Sequence, residues 1–274
     1  MQVMDTTGII TAKNYIKKLR TELTDFYDKV SKVYTTNSVI EELMYKRGYT
    51  SEKMYNTLKE VGVLKIGGLS DIWGICDVNQ YSTYKDWKLT KDGSTQLLLA
   101  NRYIIPIRDI AGQVSALVGW SESDPKYLLT NTLGFVKDAQ FFNAECYRDY
   151  IMRGETTVYL VEGFFDALSL RSEGFCALSN FGLLLSAIKV EMLQRYNKVV
   201  VISDADAAGR RPLPYIDGTK KEKQNQWHIK NPVTYVQIQI DGIKDADDLI
   251  KTFDCVDEIY ELRNKGSIAY IREN

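Results

Sequence analysis

Residues 157–169 read Thr-Val-Tyr-Leu-Val-Glu-Gly-Phe-Phe-Asp-Ala-Leu-Ser (TVYLVEGFFDALS), an apolar, β-prone run that stops on Glu162, turns at Gly163 and presents a second carboxylate at Asp166. An ionised carboxylate beside so much hydrophobic surface is costly unless something positive meets it. From this point the chain alternates in a regular way. TVYLV (157–161) is followed by the helix-like FFDALSLRSEG (164–174), FCALS (175–179) by LLLSAIKVEMLQRY (183–196), KVVVIS (198–203) by a polar loop, and VTYVQIQI (233–240) by DADDLIKTF (245–253). Short apolar strands alternating with helices predict a parallel sheet covered on both faces.

The acidic residues fall just past these strands: Glu162, then Asp204 and Asp206, then Asp245, Asp247 and Asp248. In open parallel sheets the carboxyl ends of the strands line the ligand crevice, so these groups are expected to converge. Each has a plainer reading of its own. An Asp between strand and helix is an N-cap residue type, Asp166 suits the first turn of a helix electrostatically, and Glu162 alone fits a solvated strand end. Three strand ends delivering carboxylates to one rim shift the balance. Asp204 and Asp206 lie two apart in an extended stretch and point to one side. Two ionised carboxylates about 4 Å apart repel by roughly 4 kcal/mol at an effective dielectric near 20. Hard cations such as Mg²⁺ or Mn²⁺ relieve that repulsion, and they stabilise the attacking and leaving oxygens of phosphoryl transfer.

The chain as a whole bounds the answer. Its 274 residues are 45% hydrophobic and 26% charged, enough for one large domain or two small ones with real cores. A formal net charge of −1 means that any nucleic-acid binding rests on local patches. No stretch approaches a membrane-spanning helix, and MQVMDTTGIITAKNY lacks the secretory pattern, so the expected location is the cytoplasm of a bacterium or phage-infected cell, with no membrane partner. Cys76, Cys146, Cys176 and Cys255 form no CxxC pair and His228 is the sole histidine, which argues against a zinc ribbon and a disulfide framework and leaves buried thiols as the expectation. Residues 11–60 carry helical spacing, with Asn37 or Ser38 as a cap. RYIIPIRDIAGQVSALVGW (102–120) reads as a hairpin around Asp109–Gly112. A boundary is expected at 153–155.

VEGFFDALSL (Glu162, Gly163, Asp166), VISDADAAGRR (Asp204, Asp206, Gly209) and KDADDLI (Asp245, Asp247) together resemble the Toprim domain, which is shared by DnaG-type primases, type IA and type II topoisomerases and some nucleases and recombination proteins. NRYIIPIRDIAGQVSALVGW, DPKYLLTNTLGFVKDAQFFN and YKRGYTSEKM resemble the DnaG-type primase core, the last of them its Arg-Gly-Leu segment; the likeness covers roughly residues 41–251. The resemblance implies an α/β chain: a mixed α+β primase-core subdomain (1–153), a Toprim domain with a parallel sheet flanked by helices (154–256) and a C-terminal helix (257–274). It implies that Glu162, Asp204, Asp206, Asp245 and Asp247 hold two or more Mg²⁺ or Mn²⁺ ions, with Glu162, Asp204 and Asp206 at the chemistry. Arg108, Lys126 and Lys137 match the basic residues that hold template and nucleotide, Asn131 matches a polar one, and Arg102 is an addition. Gly163, Asp166 and Gly209 are supporting residues.

The implied activity is synthesis of short RNA primers from ribonucleoside triphosphates on single-stranded DNA, by an enzyme of phage or other mobile-element type. Two other readings stand beside it: a Toprim nuclease using the same acids, and a non-catalytic nucleic-acid-binding accessory protein. A topoisomerase is disfavoured because no tyrosine stands in a recognisable nucleophile context. The sequence departs from bacterial primases in lacking the cysteine pattern of their zinc-binding domain and a helicase-gripping C-terminal domain. The expected partners therefore include a replicative helicase or a separate zinc-bearing accessory protein, and the chain itself is expected to need no zinc. Pro212 and Pro214 are expected to cut short the helix after the Asp-x-Asp loop.

Overall fold

A computed structural model describes residues 6–92, 94–182, 185–205, 229–253, 256–261 and 268–272. The chain divides into two compact units, one formed by 1–47 and 58–135 and the other by 48–57 and 136–274. Asp206, Gly209, Pro212, Pro214, His228, Cys255 and most of the basic stretch 219–230 lie outside the described residues.

The first unit begins with α1 (Thr6–Tyr34) and α2 (Asn37–Arg47), and α3 (Glu52–Val61) leads the chain back into it. Helical spacing in 11–60 thus becomes three helices. The cap of α2 is Thr36, one residue before the expected position: its hydroxyl accepts from the Val39 N–H at 3.3 Å. On α1, Leu19, Leu23, Phe26, Tyr27 and Val30 recur at three- and four-residue spacing and are all buried, against a core that includes Trp87, Ile104 and Leu117. After β1 (Leu64–Lys65) and α4 (Leu69–Trp73) come β2 (Tyr103–Arg108), β3 (Val114–Trp120) and β4 (Tyr127–Leu129), which with β1 make an antiparallel sheet in the order β1-β2-β3-β4. The expected hairpin is present. Asp109 accepts from the backbone of Ala111 and Gln113, and Gly112 takes the left-handed φ of +81° that closes the turn. Pro106 is tolerated inside β2 because β1 pairs only with Tyr103 and Ile104, so the missing N–H falls where β2 is an edge.

The second unit holds α5 (Cys146–Met152), β5 (Thr157–Val161), α6 (Phe164–Ser172), β6 (Ala177–Ser179), α7 (Ala187–Leu193), β7 (Lys198–Ile202), β8 (Val233–Gln239), α8 (Ala246–Thr252), α9 (Val256–Glu261) and β9 (Ile268–Arg272). Its strands form a parallel sheet in the order β6-β5-β7-β8-β9. The four strands read from the sequence all form. Cys146 and Cys176 are buried free thiols 3.8 Å apart, and Cys76 is buried in the first unit.

Two expectations change. In place of a single C-terminal helix over 257–274, the short helix α9 gives way to β9, a fifth strand parallel to β8. Ile268-Ala-Tyr-Ile-Arg272 is short and rich in β-formers, and a neighbouring strand rewards it where a helix does not. The unit boundary falls at 135/136 and not at 153, because Phe141, Ala144, Cys146 and Tyr150 are buried in the same core as Val158, Leu178 and Val199.

Candidate active site

The topology of the parallel sheet fixes where a ligand belongs. From β5 the chain passes through α6 to β6 on one side, then returns through α7 to β7 on the other side of β5. The strand order therefore reverses between β5 and β7, and the crevice outside their carboxyl ends is where open α/β sheets take ligands. Glu162 directly follows β5, and Asp204 follows β7 by one residue.

A hydrogen bond ties the second of these ends to a third acidic segment. The Ala205 N–H donates to the Lys244 carbonyl at 2.6 Å, joining the loop after β7 to the start of α8. Tyr235, buried in β8, is influenced both by Ser203, which hydrogen-bonds its hydroxyl, and by the charge of Glu162; burial is the first cause that raises its pKa. Asp245 caps α8 by accepting from the Asp248 N–H at 2.7 Å, so the plain N-cap reading holds for this residue alongside any other role. Asp245, Asp247 and Asp248 each place a carboxylate oxygen within 4.8 Å of the others.

Asp166 joins two helix starts. One oxygen accepts from the Gly163 N–H at 3.0 Å, and the other from the Asp247 N–H at 2.9 Å. The glycine at 163 is required by close approach and not by a left-handed turn: its φ is −94°, but a Cβ there would stand 2.6 Å from the Asp166 carboxylate. Burial pushes the Asp166 carboxyl well above the usual carboxylate range, and the charges of Asp245, Asp247 and Asp204 push it further, against the pull of the Asp247 N–H. Burial likewise raises Asp245, with Asp248 and Asp247 adding to it while the Asp248 N–H and Lys251 oppose. The acids thus sit close enough to repel one another, which is the electrostatic signature of a site that favours a cation.

Asp247 differs from its neighbours. Only 1% exposed, it accepts hydroxyl hydrogen bonds from Tyr49 at 2.6 Å and Ser169 at 2.5 Å, and its other oxygen pairs with Lys251 at 3.0 Å. Both of its oxygens are engaged by the protein. Lys251 stands one helical turn on, a spacing visible in the sequence, but Tyr49 lies 198 residues away and carried no local signal. Lys189, buried in α7, was also not anticipated.

The basic residues divide. In the first unit, Arg108 donates to the Gly112 carbonyl at 3.0 Å, pairs with Asp28 at 2.9 Å and lies over the Tyr27 ring, while Arg20 takes Asp109. Its guanidinium is thus engaged in a structural salt bridge, with Asp28 as the acid. Arg102 donates to the carbonyls of Pro125 and Lys126. Lys126 and Asn131 are exposed there, and Lys137 is exposed in the second unit, at the start of the 3₁₀ turn Lys137–Ala139. Among the described residues, no helix is long and apolar enough to cross a membrane.

Against known proteins, residues 159–250 match the Toprim-like family model. The primase of Aquifex aeolicus (strain VF5) is 32% identical over 122 residues, 42% of this chain and 24% of the relative. The crystal structure of the Aquifex aeolicus primase zinc-binding and RNA polymerase domains superposes with a TM-score of 0.70 at 23% identity, over 90% of this chain and 60% of that one. The chain has the fold of a DnaG-type primase catalytic core. A DnaG catalytic domain bound to single-stranded DNA gives a TM-score of 0.66 at 22% identity, over 89% and 78% of the two chains. The RNA polymerase domain of Mycobacterium tuberculosis DnaG gives 0.65 at 18%, over 89% and 82%. The chain spans about a quarter of the curated Aquifex relative and 60% of the Aquifex structure.

Proposed function

We propose that the chain is a primase core that joins ribonucleoside triphosphates into short RNA on a single-stranded DNA template. What supports this reading is that Glu162 and Asp204 follow the two strands of the switch point in a DnaG-type fold, and that the charges of Asp204, Asp245 and Asp247 all act on Asp166. Carboxylates that raise one another's pKa are a fitting donor set for hard divalent ions. Glu162, Asp204, Asp206 and Asp245 are the residues that would hold Mg²⁺ or Mn²⁺, which when bound neutralise triphosphate charge and favour the primer 3′-oxygen as nucleophile. Asp166 and Asp247 act one step back, tying the start of α8 to the start of α6 so that the rim keeps its shape. Lys126 and Lys137 offset phosphate charge, and binding through them weakens as salt rises. Glu162, at the end of β5, accepts the proton that leaves the attacking hydroxyl or helps hold the ions.

The test incubates the protein with single-stranded DNA, labelled ribonucleotides and Mg²⁺ or Mn²⁺, beside Asp204→Ala and Lys126→Ala. Short RNA products that vanish with Asp204→Ala and fall with Lys126→Ala are expected. Shortened DNA without synthesis would transfer the site to the nuclease reading, and neither product under any metal condition would overturn both.

A further inference from the structure

Lys189 is 1% exposed, yet among the described residues no carboxylate lies within ion-pair distance of its ammonium. Its Nζ donates instead to the carbonyl and to the side-chain oxygen of Asn180, both at 2.8 Å, and stands 5.1 Å from the ring centres of Phe141 and Phe181. A buried ammonium held only by neutral oxygens and ring faces is costly, and an apolar side chain would fill the space more cheaply. That cost directs attention to what the cation holds.

It grips a strained turn beside the candidate site. Phe181 sits at φ +60°, a left-handed conformation that a bulky side chain adopts only where its surroundings impose it. The Asn180 N–H donates to the Val161 carbonyl at 3.0 Å, at the last residue of β5. The Ser179 hydroxyl donates to the Glu162 carbonyl at 2.7 Å. The Phe181 ring lies edge-on to Phe164, 5.3 Å away, and Phe164 opens α6 just after Glu162 and Gly163. At the other end, the Ser186 hydroxyl that caps α7 donates to the Asp138 carbonyl, in the turn that carries Lys137. One buried cation thus stands where the supports of Glu162 and of Lys137 meet.

We propose that Lys189 is a positioning residue: its ammonium clamps the β6–α7 turn and through it fixes the Glu162 strand end and the Lys137 turn in the arrangement that nucleotidyl transfer needs. The role rests on the primase reading above. Burial also brings the ammonium down to about 8, with Asp138 opposing and Lys137 assisting. Among the described residues these two are the charged groups acting on it, so wild-type kcat is expected to fall as pH rises past that value.

The experiment compares wild type, Lys189→Met, Asn180→Ala and the double variant. Measured are thermal melting, Mn²⁺ affinity by electron paramagnetic resonance, and kcat and KM for ribonucleotide across pH. Lys189→Met is expected to melt at or above the wild-type temperature. Its kcat should fall about 10- to 100-fold with KM little changed, its Mn²⁺ affinity should fall about tenfold, and the alkaline limb should disappear. The double variant should lose no more than the worse single one. Wild-type kcat and Mn²⁺ affinity in Lys189→Met, or additive losses in the double variant, overturn the proposal; should Lys189→Met not fold, Asn180→Ala decides by the same two measurements. If the wild type makes no primers, the primase reading fails by itself, and Mn²⁺ affinity still decides whether Lys189 shapes the acidic rim.

Discussion

Removing the Tyr49 hydroxyl leaves the Asp247 carboxylate one donor short in a place that water does not reach. Tyr49→Phe keeps the ring and its packing 6.3 Å from Phe165, so no cavity opens and the loss isolates one hydrogen bond. A hydrogen bond to a charged group contributes about 1.5–3 kcal/mol. Ser169 and Lys251 remain in place, which puts the expected loss at the lower end, about 1.5–2 kcal/mol. For a domain of this size that lowers the melting temperature by roughly 3–8 °C. Denaturant titration of wild type, Tyr49→Phe, Asp247→Asn and the double variant measures the coupling directly. Against a neutral acceptor the hydroxyl should contribute about 1 kcal/mol or less, so the two changes should not add. A loss under about 0.5 kcal/mol, or strict additivity, would refute the reasoning that Asp247 is a charged brace held by Tyr49.

Other outcomes follow from the same region. Gly163→Ala drives a Cβ into the Asp166 carboxylate and should cost about 1–3 kcal/mol by denaturant midpoint, whereas any gain would show that the close approach is not binding. Lys251→Met removes the cation from the buried Asp247 carboxylate, and from Asp248 with it, and should cost about 3 kcal/mol, against under about 1 kcal/mol for Lys46→Met, whose partners Glu122 and Glu42 reach solvent. For Lys189 the sign runs toward alkali: between about 8 and its ordinary 10.5 the unfolded chain holds a proton that the folded chain has released. Folding stability should therefore rise with pH across that window, and the rise should be missing from a Lys189→Met titration.

How far the sequence reached depended on the range of the interaction. The β5 to β8 alternation was readable because each strand is an apolar run of its own, and the places of Glu162 and Asp204 just past β5 and β7 were readable with it. β9 was not, since its few residues become a strand only by pairing with β8. The contact of Asp247 with Tyr49 and the pairing of Arg108 with Asp28 span most of a unit and leave no periodic trace. The boundary was misplaced for a related reason: Phe141 and Tyr150 look like any amphipathic stretch until the sheet they cover is known. Gly163 reads in the sequence as a turn, and the close approach of the Asp166 carboxylate that holds a glycine there leaves no local trace.

The position of β9 also bears on how the protein is made. β8 lies between β7 and β9, so during synthesis its outer edge stays open until residues 268–272 have left the ribosome. That edge belongs to Val233–Gln239, a strand with Val, Thr, Tyr and Val in succession, a composition prone to pair with a neighbouring chain. A version shortened at Glu261 should retain every candidate catalytic residue and yet be recovered mainly as aggregate, and a soluble tag after residue 272 should protect nascent chains less well than slower, cooler expression.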